Sequence, residues 1–192
     1  LEKDYPMLQR QAKKEKALIY WGDEMGLRSD HAVGRSYGLC GQTPVIPGTG
    51  QRFGCNMISA INNRGQLNFM VFKFHFDTKV FLGFLTRMVR QIKRTGLLII
   101  DGHPVHHAVK VKNWIHEHTD QIRLFYLPDY SPELNPDEML NQDVKSNAVG
   151  RRRAKNQQEL IANTRSYLRS RQKQPSIVKH YFQEEHVRYA GM

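Results

Sequence analysis

Four consecutive aliphatic residues, Leu97-Leu98-Ile99-Ile100, run straight into an aspartate, Asp101. A strand exposed on one face alternates apolar and polar residues, whereas a strand apolar at every position is buried on both faces. The run therefore predicts a strand in the middle of a sheet, with Asp101 emerging at the edge of the core. Before it, Val80, Phe81, Phe84, Leu85, Met88, Val89 and Ile92 recur at helical spacing, with Arg87, Arg90, Lys93 and Arg94 between them and Asp77 placed to cap the start. After it, residues 106–118 read as a helix with Val109, Val111, Trp114 and Ile115 as its apolar set. Residues 122–127 read as another strand, stopped by Pro128.

The first half of the chain has a different pattern. An apolar and aromatic run, residues 17–21, is closed by Gly22-Asp23-Glu24 and reads as a strand ending in two acids. Residues 34–54 are rich in Gly and Pro and read as an irregular connection. Residues 53–61 and 67–76 flank the turn signal Asn62-Asn63-Arg64-Gly65 and predict a hairpin. Near Pro136 a helix is expected, with Asn135 as its cap and Glu138 in its first turn. Two further helical segments are expected over 157–171 and 175–189. Antiparallel strands followed by alternating strands and helices imply an α/β fold, a mixed sheet covered by helices. The expected organisation is a linker or short helix over 1–16, an α/β core over 17–149 and a basic helical extension over 150–192.

Charge narrows the class of partner. Lys and Arg number 29 against 18 Asp and Glu, a formal net charge of +11 with a pI near 9.8. Such a surplus favours a polyanion, with nucleic acid the first candidate. The densest basic run is Arg151-Arg152-Arg153-Ala154-Lys155. It reads either as a phosphate grip or as a solvated loop. Cys40 and Cys55 are the only cysteines and have no CxxC spacing, so neither a disulfide framework nor a zinc site is expected, and a reducing compartment fits. No apolar run approaches the roughly 18–20 residues that span a bilayer, so no membrane partner is expected.

Three acids stand where sites commonly form: Asp23 and Asp101 after strands, and Glu138 in a first helical turn. Together they offer hard oxygen ligands suited to Mg²⁺ or Mn²⁺. Two such ions, roughly 3.5–4 Å apart, can serve phosphoryl transfer. Each acid also has an ordinary reading, as a turn former or as a complement to the helix dipole. Strand alternation points Glu24 away from Asp23. His103, His106 and His107 cluster after Asp101, either to orient DNA or a metal-bound water or simply to cap and cover a helix. Trp21 and Trp114 read as core residues.

The segment from Leu98 through Asp101-Gly-His103-Pro-Val-His106-His107, and the later Tyr126-Leu-Pro128-Asp-Tyr130-Ser131-Pro132-Glu-Leu134-Asn135-Pro136-Asp-Glu138, resemble the DDE transposases of the mariner-like superfamily, and most closely their bacterial insertion-sequence branch. Asp101 and Glu138, with 36 residues between them, match the second and third acids, and Asp23 matches the first. Asp137 is an alternative third acid, the weaker by position. Gly34-Arg35 and Gly41-Gln42-Thr43-Pro44 resemble the family's linker between its first two strands. Met139-Leu140-Asn141 stand where the family often carries a Trp.

The resemblance implies an RNase H-like fold, a five-stranded mixed sheet flanked by helices. It implies metal-dependent DNA strand cleavage by Asp23, Asp101 and Glu138, with transfer of a 3′-hydroxyl end into target DNA. His103, His107 and Asn135 would support the site, while Arg151, Arg152, Arg153 and Lys155 would contact DNA. It further implies double-stranded DNA as partner, pairing of two copies on two element ends, a DNA-binding region upstream, and a bacterial cytoplasmic, nucleoid-associated setting. The alternatives with the same acids are an RNase H-like nuclease without strand transfer and a non-catalytic DNA-binding relic.

Overall fold

The computed structural model describes residues 4–30, 39–42, 50–128, 131–150 and 153–191. Five strands form one sheet: β1 (Leu18–Arg28), β2 (Gly54–Ile61), β3 (Leu67–Phe72), β4 (Gly96–Ile100) and β5 (Ile122–Tyr126). Their order across the sheet is β3-β2-β1-β4-β5. The β1–β2 and β2–β3 pairs are antiparallel, and β1–β4 and β4–β5 are parallel. Among the described residues, six α-helices cover it: α1 (Asp4–Glu15), α2 (Thr78–Gln91), α3 (Val109–Glu117), α4 (Asp137–Val144), α5 (Gln157–Gln172) and α6 (Pro175–Tyr181). This is the expected five-stranded mixed sheet flanked by helices.

All five residues of β4 are buried, as an uninterrupted apolar strand between two helical layers requires. Alternation sends Leu97 and Ile99 to one face and Leu98 and Ile100 to the other. The second face packs on α2 through Phe81, Phe84, Leu85 and Met88, and on α3 through Val111. Asp77 caps α2 as expected, its carboxylate accepting the Val80 N–H at 2.8 Å. The first face carries Trp21, Met25, Leu97 and Ile99 against α1, α4, α5 and α6.

Several boundaries move. β1 does not stop at the acids but runs on to Arg28, because Met25 and Leu27 continue the inward alternation. Asp23 is therefore a mid-strand residue. β3 ends at Phe72, short of the expected residue 76. The helix expected over 106–118 is two pieces: a 3-10 turn, Pro104–His107, and then α3, with Ala108 extended between them at ψ 140. The helical segment expected over 175–189 is the shorter α6, followed by turns and a 3-10 turn, Arg188–Gly191. In the β2–β3 hairpin, Gly65 has φ 86, and a Cβ there would sit 2.4 Å from the Pro175 carbonyl oxygen, so only glycine fits.

Both flanking segments belong to the core. Residues 1–16, expected as a linker or short helix, contain α1, whose Tyr5, Leu8 and Ala12 are buried against the sheet. The segment 150–192, expected as an extension, supplies Leu160, Leu168, Val178 and Phe182 to the same cluster. Asp143 at the end of α4 ties this segment down. It accepts hydrogen bonds from the Tyr167 and Tyr181 hydroxyls and from Arg171 Nε. Gln172 and Arg165 donate to the Leu67 and Val71 carbonyls at 2.7 and 3.0 Å, occupying acceptors that β3 would otherwise present at the sheet edge.

Candidate active site

Parallel pairing of β1 with β4 sets Trp21 opposite Ile99. Two residues further along each chain stand Asp23, within β1, and Asp101, just past the end of β4, so the register carries both acids to the same end of the sheet. The third, Glu138, arrives on α4, and α4 is fastened to β1 by two polar contacts. Asn135 Nδ2 donates to the Gly22 carbonyl at 3.1 Å, while its Oδ1 accepts the Asp137 N–H at 3.1 Å. Asn135 thus closes the start of the helix, as expected, and also clamps it to the strand that carries Asp23. One turn on, Asn141 Nδ2 donates to Asp23 Oδ2 at 2.7 Å. On the opposite face of β1, Gly22 lies tight against β2, where a Cβ would sit 2.9 Å from the Ser59 carbonyl oxygen.

Asp23, Asp101 and Glu138 line one cleft of about 460 Å³, walled by Leu127, Pro128, Ser131, Pro132 and Asn135. Asp137, the alternative third acid, is fully buried and accepts the Ser59 hydroxyl at 2.6 Å. It faces the sheet, and Glu138 faces the cleft.

The carboxylates are held in unequal environments. Burial, reinforced by the neighbouring Asp137, Glu138 and Glu24, pushes Asp23 up to about 9. Burial likewise raises Asp137 well above the usual carboxylate range. Glu24 rises to about 7, through burial and then the charge of Asp101. Asp101 goes the other way: a hydrogen bond from His106 holds it below its ordinary value. Converging carboxylates of this kind are stable as anions only with a cation among them. The donor set, all oxygen and open on a cleft, fits a hard divalent ion such as Mg²⁺ or Mn²⁺.

The histidines separate by environment. His103 Nδ1 accepts the Val105 N–H at 3.2 Å and caps the 3-10 turn. His107 is exposed and stacks on Tyr126 with ring centroids 4.4 Å apart. Neither is among the residues that line the cleft, though the His103 backbone N–H donates to Asp101 Oδ1 at 3.1 Å. His106 is the one that matters: it is 1% exposed and its Nδ1 lies 3.0 Å from Asp101 Oδ1. Glu24 points off the Asp23 face, as alternation requires, and its carboxylate meets His106 and Asp101 instead. Asn141 was findable in the sequence, being three residues after Glu138 and hence on the same helical face. Ser59 was not, because nothing local marks it.

Trp21 is fully buried, and Trp114 stacks on His118, so both are packing residues. Of the basic run, Arg153 is half-buried and Lys155 exposed, with the Lys155 backbone N–H donating to Glu159. Arg151, Arg152, Asp129 and Tyr130 lie outside the described residues, as do Gly34, Arg35, Thr43 and Pro44 of the expected linker.

A family model described as the DDE superfamily endonuclease matches residues 18–161. An insertion element IS630 protein of Shigella sonnei, described as an uncharacterized 39 kDa protein, is 21% identical over 162 residues. That match covers 78% of this chain but 44% of the relative, so the chain spans less than half of it. Among solved structures, the Mos1 mariner paired end complex with Mn is similar at a TM-score of 0.62 and 14% identity, covering 97% of this chain and 60% of that one. The catalytic domain of Mos1 mariner transposase is similar at 0.59 and 12% identity, with 97% and 89% covered. At these identities the structural likeness shows a shared fold.

Proposed function

The chain belongs to the DDE superfamily of endonucleases, and from that premise we propose that it is the catalytic domain of an IS630/mariner-type transposase that cuts DNA and joins the new 3′ end to target DNA. One observation carries this reading: Asp23, Asp101 and Glu138, from three separate elements, line one cleft. We assign them as the residues that hold divalent metal, with two ions as the working number. When bound, the ions activate the attacking oxygen and stabilise the leaving oxygen at a phosphodiester.

The chain's own groups do the rest. Asn141 fixes one Asp23 oxygen, leaving that carboxylate one orientation. Asn135 sets the height of α4 over β1 and hence the reach of Glu138. The walls from Leu127 to Pro132 bound the space for the scissile phosphate. In cleavage, a water oxygen bonds to phosphorus and the P–O3′ bond breaks, leaving a 3′ hydroxyl. In joining, that hydroxyl attacks a target phosphodiester and a second P–O3′ bond breaks. Duplex DNA is the substrate, consistent with the net charge of +11. Arg153 and Lys155, with Arg151 and Arg152, are assigned to phosphate contact. Pairing of two copies and recognition of element ends are assigned to the whole protein, in the length of the relatives that this chain does not span.

The test compares the native chain with Asp101→Asn on a labelled duplex carrying element ends, with Mn²⁺ or Mg²⁺. The native chain is expected to nick and the variant to bind without nicking. Equal nicking by the two removes Asp101 from the chemistry. Cleavage without joining of a pre-cut 3′ end would favour a nuclease. DNA binding by the native chain with no cleavage under any metal would favour a binding relic.

A further inference from the structure

Beside the cleft, two buried polar atoms face each other without hydrogen-bond partners: Glu24 Oε2 and His106 Nε2, 3.7 Å apart. Unpaired buried polar atoms are rare and ask for a reason. The other ring nitrogen supplies it. His106 Nδ1 lies 3.0 Å from Asp101 Oδ1 and 3.1 Å from the Asp101 carbonyl oxygen. A backbone carbonyl can only accept, so Nδ1 carries the hydrogen and donates. The ring is then wedged in place by Phe81 and Phe76, with centroids 4.6 and 5.6 Å away. Its far side abuts Glu24, the residue directly after Asp23 on β1. The imidazole thus spans the two strands that carry Asp23 and Asp101, behind the cleft rather than in it.

We propose that His106 is a positioning residue for Asp101: its Nδ1–H holds one oxygen of the Asp101 carboxylate so that the other is presented to the cleft. The proposal rests on the reading of Asp101 as a metal-holding residue. Carboxylates that hold metal are commonly oriented by such partners, and losing the partner typically costs about 10–100-fold in metal affinity. The His103 backbone N–H also donates to Asp101 Oδ1, at 3.1 Å, but the His103 ring caps the 3-10 turn and the His107 ring stacks on Tyr126, so neither of those rings is part of the device.

The test uses two amide replacements in the full chain. The amide nitrogen of Asn can take the place of Nδ1, and that of Gln the place of Nε2. His106→Gln should weaken Mn²⁺ binding in calorimetry about 10–100-fold, while His106→Asn stays within about threefold of the native chain. Thermal midpoints should fall by similar amounts in both, since both lose the packing against Phe81 and Phe76. A merely structural His106 would give equal affinities for the two variants, and that result overturns the proposal. Nitrogen NMR of the native ring supplies a metal-independent readout. A protonated Nδ1 whose signal shifts in Asp101→Ala supports the device, and a ring protonated only at Nε2 overturns it. A native chain that binds no Mn²⁺, with or without DNA, overturns the metal reading, and the ring spectrum then decides the hydrogen bond on its own.

Discussion

Asp23, within β1, and Asp101, just past the end of β4, line the same cleft, yet their surroundings differ in sign. Asp23 is enclosed by β1, β2 and α4, where its neighbours are Asp137, Glu138 and Glu24, and its proton is retained up to about 9. Asp101 lies at the open end of β4, half-exposed, with His106 donating to it and its charge favoured. The lesson is a division of labour within one cleft. The surroundings of Asp101 favour its charge, whereas the crowding around Asp23 opposes it; on the proposed metal-holding reading, a cation would offset that crowding.

That contrast can be broken first by cleavage. Asp23→Asn and Asp101→Asn should each reduce metal-dependent nicking by on the order of 10²–10³ or more, the scale for losing a group that stabilises transition-state charge. Single-turnover nicking rates check this. Retained nicking in Asp23→Asn would mean that the Asp101 side suffices alone.

The next largest effect is on stability, where the two substitutions should diverge. Between pH 4 and about 9 the folded chain keeps the Asp23 proton that the unfolded chain has lost. The folded state then binds more protons, so metal-free stability falls as pH rises through that window and levels above it. Asp23→Asn should flatten this slope and raise the metal-free stability at pH 8 by a few kcal/mol at most. Asp101→Asn should raise nothing, because a depressed pKa means that the ionised form already stabilises the fold above the ordinary carboxylate range and is lost as pH falls. Denaturant midpoints across pH 5–9 (a window set by those shifts) measure both. A parallel response of the two variants would erase the distinction.

A smaller effect should come from Asn141→Ala, which removes the 2.7 Å hydrogen bond to Asp23 and leaves Asp101 untouched. Mn²⁺ affinity should drop about tenfold, at the lower end for a partner of a metal-holding group. Unchanged affinity would show that the carboxylate needs no such guide. The smallest effect is expected at His107→Ala. This ring is exposed and stacks only on Tyr126, so stability should change by about 0.5 kcal/mol or less, with nicking unaltered. A large loss of nicking would bring that ring into the chemistry.

How far the sequence carried the description follows from the range of the forces involved. The run Leu97–Ile100 announced a doubly buried strand, because burial on two faces leaves no position for a polar side chain. Asp77 and Asn135 were legible as caps because a cap bonds to backbone within a few residues. The end of β1 was misjudged because two acids interrupt an alternation that Met25 and Leu27 resume. The flanking segments looked like a linker and an extension because their many charges mask sparse apolar positions such as Tyr5, Leu8, Leu160 and Leu168.

By itself, then, the sequence determined the element types, the three acids and the loop motif that carries the family resemblance, since each is written in neighbouring residues. The tertiary structure alone decided that Glu138 rather than Asp137 faces the cleft, that the ring of His106 rather than that of His103 or His107 meets Asp101, and that Asp23 and Asp101 differ in their hold on a proton. Those outcomes depend on burial and on charges brought together from distant parts of the chain, and the electrostatics of a carboxylate are set by what surrounds it in space, not by what precedes it in order.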